Sequence, residues 1–181
     1  MTSCVFLYLL MTAILWSCPA HMIIWDIAMI ELGEDYVNKV LRPILDDPNE
    51  HNRNYTNLYE YACWADDAKT NKTAPWHYYD IPYFMNYSKV LPPLSDTDNV
   101  AWTVNIAKET LQGKSTEYGK SFMLRNLIHM MGDVHQPLHV ESMYSQRFPD
   151  GDRGGNSFII PGGDKELHAL WDYVLDKLKP A

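Results

Sequence analysis

The stretch His129-Met130-Met131-Gly132-Asp133-Val134-His135-Gln136-Pro137-Leu138-His139 places three histidines and a carboxylate within eleven residues. On a helix, His129 and Asp133 stand one turn apart on a single face, the spacing that lets two ligands reach one cation. Gln136-Pro137 should break that helix, so His139 can approach the same or a neighbouring ion from another direction. A second pair of this spacing, His168 and Asp172, lies in LHALWDYVLDKL. Such a pair can also be a helix surface contact worth tenths of a kcal/mol. LIHMMGDV is mostly apolar, however, and a charged pair buried there is unfavourable unless something such as a cation compensates it. The same argument applies to HALWD, where Leu170 and Trp171 imply partial burial. Of the seven histidines, His77, His129, His139 and His168 assort with the carboxylates Asp66, Asp133 and Asp172, whereas His51 and His135 have no comparable setting. Imidazole and carboxylate without clustered thiolates suit zinc with positions left open for water or substrate.

The elements that must position these residues are mainly helical. HMIIWDIAMIELG reads as an apolar helix stopped by Gly33, and DYVNKVLRPIL as a second whose end Pro43 disturbs. DDPNEHNRN is a polar loop. NLYEYACWADDAKT reads as helix, and APWHYYDIPYF as an ordered extended loop in which Pro75 and Pro82 disfavour a strand. Beyond LPPLSDTD, whose Asp and Ser residues can cap a helix, NVAWTVNIAKETLQG and STEYGKSFMLRNLIHMMGDV form two more. The Gly-rich SQRFPDGDRGGNSFIIPGGD holds a short hairpin around NSFII. Asp164 caps the last helix and Pro180 ends it.

The chain has 181 residues, 46% of them hydrophobic, and neither repeats nor low-complexity tracts, which suits one domain. A formal charge of −8 argues against gripping nucleic acid through a basic surface; three divalent cations would bring it to −2, with the positive charge concentrated where a phosphate would sit. MTSCVFLYLLMTAIL carries no charge and reads as a secretory signal over residues 1–15, too short to span a bilayer. Three sequons agree with a secreted or lumenal, glycosylated protein: Asn54-Tyr55-Thr56, Asn71-Lys72-Thr73 and Asn86-Tyr87-Ser88. Cys4 would leave with the signal, and Cys18 and Cys63 alone make no disulfide framework visible.

His129-x3-Asp133-x2-Gln136-Pro137-Leu138-His139, followed by Gly154-Gly155-Asn156 and His168-x3-Asp172, resembles the zinc-dependent single-strand-specific nucleases, the class I or S-one/P-one type. Upstream, Trp64-Ala65-Asp66 resembles that family's WAD segment, Trp76-His77-Tyr78-Tyr79-Asp80 its aromatic segment, and Trp16-x4-His21 its N-terminal Trp-x4-His. The resemblance runs in order from residue 16 to residue 172. It implies a mainly α, single helical domain of the phospholipase C/nuclease type over residues 16–181, with long ligand-bearing loops and without the family's C-terminal helices.

The resemblance further implies three zinc ions. Asp66, His77, His129 and Asp133 would hold the first. Asp133 would bridge to a second, held by His21 and by the amino nitrogen and carbonyl oxygen of an N-terminal Trp16. His139, His168 and Asp172 would hold the third. A carboxylate shared by two cations brings them close enough to activate water for attack on phosphorus, which makes Asp133 catalytic. Lys69 would stabilise charge on the phosphoryl oxygens. Tyr78 would stack an unpaired base, Asp80 would hydrogen-bond its edge, and Asn156 would add a further substrate contact. The implied activity is that of a hydrolase acting on ester bonds: an endonuclease on single-stranded DNA and RNA giving 5′-phosphate products, and a 3′-nucleotidase on 3′-nucleotides. It would act as a monomer without an obligate protein partner. Two alternatives use the same residues: a zinc phospholipase C, whose last ligand is usually glutamate where Asp172 stands, and a catalytically impaired zinc-stabilised binding protein. Chelation by Trp16 requires cleavage after Leu15, whereas Cys18-Pro19-Ala20 better resembles a small-residue cleavage site.

Overall fold

The computed structural model describes residues 16–46, 55, 57–162 and 166–174. The signal segment, Cys4, His51, most of the first sequon, Asp164 and Pro180 lie outside the described residues. No described helix is long and apolar enough to cross a membrane.

Helix α1 spans Cys18–Leu32 and stops where Gly33 takes φ 81° and donates its N–H to Met29 O, a conformation that suits glycine. The next helical segment runs through an α-turn (α2, Glu34–Tyr36), a π-helical stretch Val37–Leu41 and α3 (Arg42–Leu45). Pro43 sits in the first turn of α3, where its missing N–H costs least. Asn57 and Glu60 form a capping box that starts a 3-10 helix, Leu58–Cys63, which leads into α4, Trp64–Asp67. Helix α5, Val100–Gln112, is capped by Asn99 rather than by the Asp and Ser residues before it, and α6, Glu117–Asp133, is capped by Thr116. α6 is the central element. Its Leu124 and Ile128 pack with Trp25, Leu41, Leu45 and Tyr61, while Met130 packs with Trp64, Ala65 and Val100.

α6 ends as the Gln136-Pro137 step predicts. Gln136 is extended (φ −93°, ψ 112°) and caps α7, Pro137–Val140, with Pro137 in its first turn. His135 accordingly turns out to solvent and satisfies Met131 O at the α6 C-terminus, 2.6 Å away. α8 spans Leu167–Asp172, with Glu166 at its N-cap.

Three expectations need correction. Pro82 does not prevent a strand: β1, Ile81–Phe84, pairs in parallel with β2, Glu141–Tyr144, in the register Ile81↔Glu141. A two-stranded sheet leaves every strand an edge, so proline is tolerated there. Among the described residues NSFII pairs through one antiparallel bridge, Ile159↔Glu166, rather than a ladder, with Leu167 N–H donating to Phe158 O beside it. Cys18 and Cys63 form a disulfide across 45 residues, Cα atoms 5.2 Å apart, tying α1 to the chain just before α4. Two cysteines distant in sequence gave no spacing by which to recognise it.

Candidate metal centre

The site lies where α1, α4, α6, α7 and α8 converge. His21 is carried by α1, Asp66 by α4, His77 by the 3-10 turn Ala74–His77, His129 and Asp133 by α6, His139 by α7, and His168 and Asp172 by α8. All are buried except Asp66, which is partly exposed. Burial of His168 and Asp172 does not come through Leu170 and Trp171, which are exposed, Trp171 to 42%. The helix turns its ligand face inward and leaves the intervening positions in solvent, as helical periodicity requires.

Asp133 is the hub. Its Oδ1 lies 3.5 Å from His21 Nε2 and 3.1 Å from His139 Nδ1; its Oδ2 lies 3.0 Å from His77 Nδ1 and 3.5 Å from His129 Nε2. Three groups of ligand atoms stand close enough to share an ion: His21, His129 and Asp133; Asp66, His77 and His129; and His139, His168 and Asp172. His129 thus belongs to two groups, and its ring stacks on that of His21 with centroids 3.8 Å apart. In the third group Asp172 lies 3.6 Å from His139 Nε2 and 3.2 Å from His168 Nε2.

The outward ring nitrogens explain the orientation of the inward ones. Nδ1 of His129 faces Ala62 O at 2.7 Å, that of His168 faces Gly154 O at 2.6 Å, and that of His139 faces His77 O at 3.2 Å. An Nδ1–H donated to a carbonyl leaves Nε2 as a lone-pair donor directed at the centre, the usual arrangement behind a metal-bound imidazole. The inward atoms His129 Nε2, His139 Nε2, His77 Nε2, Asp66 Oδ1, Asp133 Oδ1 and Asp172 Oδ2 are buried without a hydrogen-bond partner. So many orphaned donors and acceptors in one place would be costly in a purely structural core. A nitrogen and oxygen donor set of this kind fits a divalent transition ion.

The buried carboxylates and imidazoles also hold one another's charge. Burial would raise the Asp133 carboxyl, but His129 and His139 outweigh it and hold the group well below the usual range. Burial would lower His139, yet Asp133 and Asp172 raise it to about 10. Burial lowers His21 to about 4, and the charge of His129 adds to it, so its ring is neutral and able to ligate.

The other candidates sit at the rim. Trp16 is next to Ser17, whose N–H donates to Asp172 O at 3.0 Å, and its ring meets His21 edge-on at 6.4 Å. Lys69 Nζ stands 3.5 Å from Asp66 Oδ1. Tyr78 is 40% exposed beside the buried His77. Asp80 lies at the surface, where partial desolvation and Asp152 push its carboxyl upward against Arg153 and His168. Asn156 Nδ2 donates to Arg153 O at 2.7 Å. Two residues escaped the sequence reading. Arg153, held at φ 58°, interacts electrostatically with both Tyr78 and Asp80. Gln136, taken only as a helix breaker, is fully buried; its Nε2 donates to Asp172 Oδ1 at 2.9 Å and its Oε1 accepts from Leu138 N at 2.6 Å. An amide lodged between two ligands of one motif was the signal available for it.

Comparison with known proteins agrees with this geometry. The chain is 26% identical over 171 residues to Endonuclease 2 of Arabidopsis thaliana, covering 87% of this chain and 54% of that protein. It is 27% identical over 181 residues to Endonuclease 4 of the same plant, covering 90% and 56%. It spans about half the length of the curated relatives it matches. The family profile described as S1/P1 Nuclease matches residues 16–179, almost the whole chain, and the chain belongs to the S1/P1 nuclease family.

Proposed function

We propose that this chain is a zinc-dependent phosphodiesterase that cleaves single-stranded DNA and RNA to 5′-phosphate products and removes phosphate from 3′-nucleotides. The observation that carries this reading is the Asp133 carboxylate, fully buried and facing ring nitrogens of four histidines. In this reading Asp66, His77, His129 and Asp133 hold one ion, Asp133, His21 and the backbone of Trp16 a second, and His139, His168 and Asp172 a third. Zinc supplies Lewis acidity and water activated near neutral pH. The protein's own part is positioning. Asp133 keeps the ligand sets together, and Lys69 adds positive charge beside Asp66 where phosphoryl oxygens would gather. Tyr78 offers an exposed ring face to an unpaired base, Asp80 accepts hydrogen bonds from its edge, and Asn156 lines the same rim. A paired base would first have to unstack, which favours single strands.

A secretory route is supported by the Cys18–Cys63 disulfide and by the exposure of Asn71 and Asn86. Trp16 would contribute an amine only after cleavage behind Leu15. The test is hydrolysis of single- against double-stranded DNA, phosphate release from a 3′-mononucleotide and hydrolysis of phosphatidylcholine, each with and without chelator, on protein of measured zinc content and N-terminal mass. Chelator-sensitive cleavage of single strands is expected. Cleavage of phosphatidylcholine alone would make the protein a phospholipase, and zinc binding without any phosphate ester hydrolysis would make the metal structural.

A further inference from the structure

Among the histidines around Asp133, His21 is held differently. Those of α6, α7 and α8 set their Nδ1 against backbone carbonyls, and His77 Nδ1 faces Asp133 Oδ2. Among the described residues neither ring nitrogen of His21 has a hydrogen-bond partner, although the ring is completely buried. No directional bond fixes its rotation, so packing must.

Besides the edge-on Trp16 ring, two surfaces of α6 pack it. One is the His129 ring, stacked at 3.8 Å with planes 11° apart. The other is Gly132. A Cβ built on Gly132 would stand 2.7 Å from His21 Cε1 and nearer still to Nδ1. Real carbon atoms do not approach so closely, and the obstacle is the body of a buried ring rather than the end of a flexible chain. Gly132 has ordinary helical backbone, so its lack of a side chain is not needed for a left-handed turn. A glycine inside a helix costs about 1 kcal/mol relative to alanine. Here the missing Cβ is what lets α1 bring His21 against α6.

We propose that Gly132 is the seat of His21: a positioning residue whose missing side chain, with the His129 ring, fixes the His21 imidazole beside Asp133 and thereby forms the second ion site. This rests on the zinc reading above. It makes the three ions unequal. The site of His21 has a histidine oriented by packing against α6, with Asp133 Oδ1 3.5 Å from its Nε2, and depends on the α1–α6 spacing, whereas the other two keep their hydrogen-bonded histidines when that spacing changes.

The test is a cycle of four secreted proteins, each with an N-terminal mass that confirms a chain beginning at Trp16: wild type, Gly132→Ala, His21→Ala and the double variant. Zinc content is measured after dialysis against buffers of fixed free zinc, and thermal midpoints are measured with and without zinc. Wild type should hold three ions. Gly132→Ala should hold two, with the third weakened on the order of 10–100-fold, the usual effect of losing a ligand's support. His21→Ala should match it, and the double variant should be no worse than His21→Ala, because removing the ring removes the clash. If Gly132→Ala fails to fold while the double variant folds and holds two ions, the proposal stands. Three ions in Gly132→Ala with wild-type affinity would overturn it, as would a double variant that fails to fold or loses more than the His21→Ala ion. If the wild type binds no zinc, the functional reading falls; the zinc-free midpoints still show whether the two positions couple sterically.

Discussion

The candidate ligands on α1 and α6 and those on α7 and α8 are placed by different means. α6 has seventeen residues and buries an apolar face that includes Met123, Leu124, Ile128 and Met130, and α1, with fifteen, adds Trp25 to the same core, so His21, His129 and Asp133 ride on long helices anchored by apolar packing. α7 and α8 have four and six residues, too few to be stable by themselves. Their ligands are held by specific hydrogen bonds: His168 to Gly154 O, His139 to His77 O, and Asp172 to the Gln136 amide. The α7 and α8 region is therefore vulnerable to loss of a donor or acceptor, the α1 and α6 region chiefly to changes of volume, with the His129 bond to Ala62 O as a polar tie of its own.

The residue that belongs to both regions should give the largest effect. Asp133→Ala removes the carboxylate between His21, His77, His129 and His139, and kcat on single-stranded DNA should fall by at least on the order of 10³-fold. Persistent chelator-sensitive hydrolysis in that variant would refute a shared hub. Replacing Cys18 and Cys63 by serine attacks the helical region alone. Chain entropy for a 45-residue loop sets the loss at about 4 kcal/mol, read as a lower midpoint in urea. The His139, His168 and Asp172 group should keep its affinity for zinc in whatever fraction stays folded.

Gln136→Leu is the complementary cut. It leaves the apolar core intact but takes the amide from Asp172 and the acceptor from Leu138 N, and should weaken one ion of three by about 10–100-fold. Equal weakening of all three would erase the distinction between the regions. The smallest effect concerns pH and only the helical region. Burial and the hydrogen bond to Asp46 push the Tyr61 phenol up to about 12. A folded-state pKa above the unfolded one gives stability that is complete below about pH 10 and lost as pH rises through about 12. Tyr61→Phe should flatten that alkaline decline in urea titrations and cost about 1 kcal/mol or less at neutral pH.

Part of the candidate set was legible because it sits at a spacing with physical meaning: His129 and Asp133 one helical turn apart, His168 and Asp172 likewise, and Gln136-Pro137 between two directions of chain. His21 has no such spacing and stands out only through the resemblance of Trp16-x4-His21. The helices around them were legible for the same reason. What supports the ligands was not. Ala62, His77 and Gly154 act through backbone carbonyls, which every residue possesses, so nothing in their identity announces the role. Gly132 matters through the atoms it lacks. β1 was obscured by Pro82, whose usual exclusion from sheets does not apply to a pair of edges, and HALWD misled because its exposed Leu170 and Trp171 resemble core residues.

The disulfide has a consequence for assembly. Cys18 precedes His21 by three residues, and Cys63 precedes Asp66 by three. In the unfolded chain these two residues lie more than forty positions apart, and the two neighbouring ion sites they would serve, which share His129 and Asp133, must be drawn together across a long flexible loop. Once the bridge forms, the same residues are tethered within a few residues, and their mutual concentration rises accordingly. On the zinc reading, oxidation would act as a first step of metal loading. A chain kept reduced would have to close that loop with binding free energy from the ions themselves, and would fill its sites at higher free zinc than one oxidised beforehand.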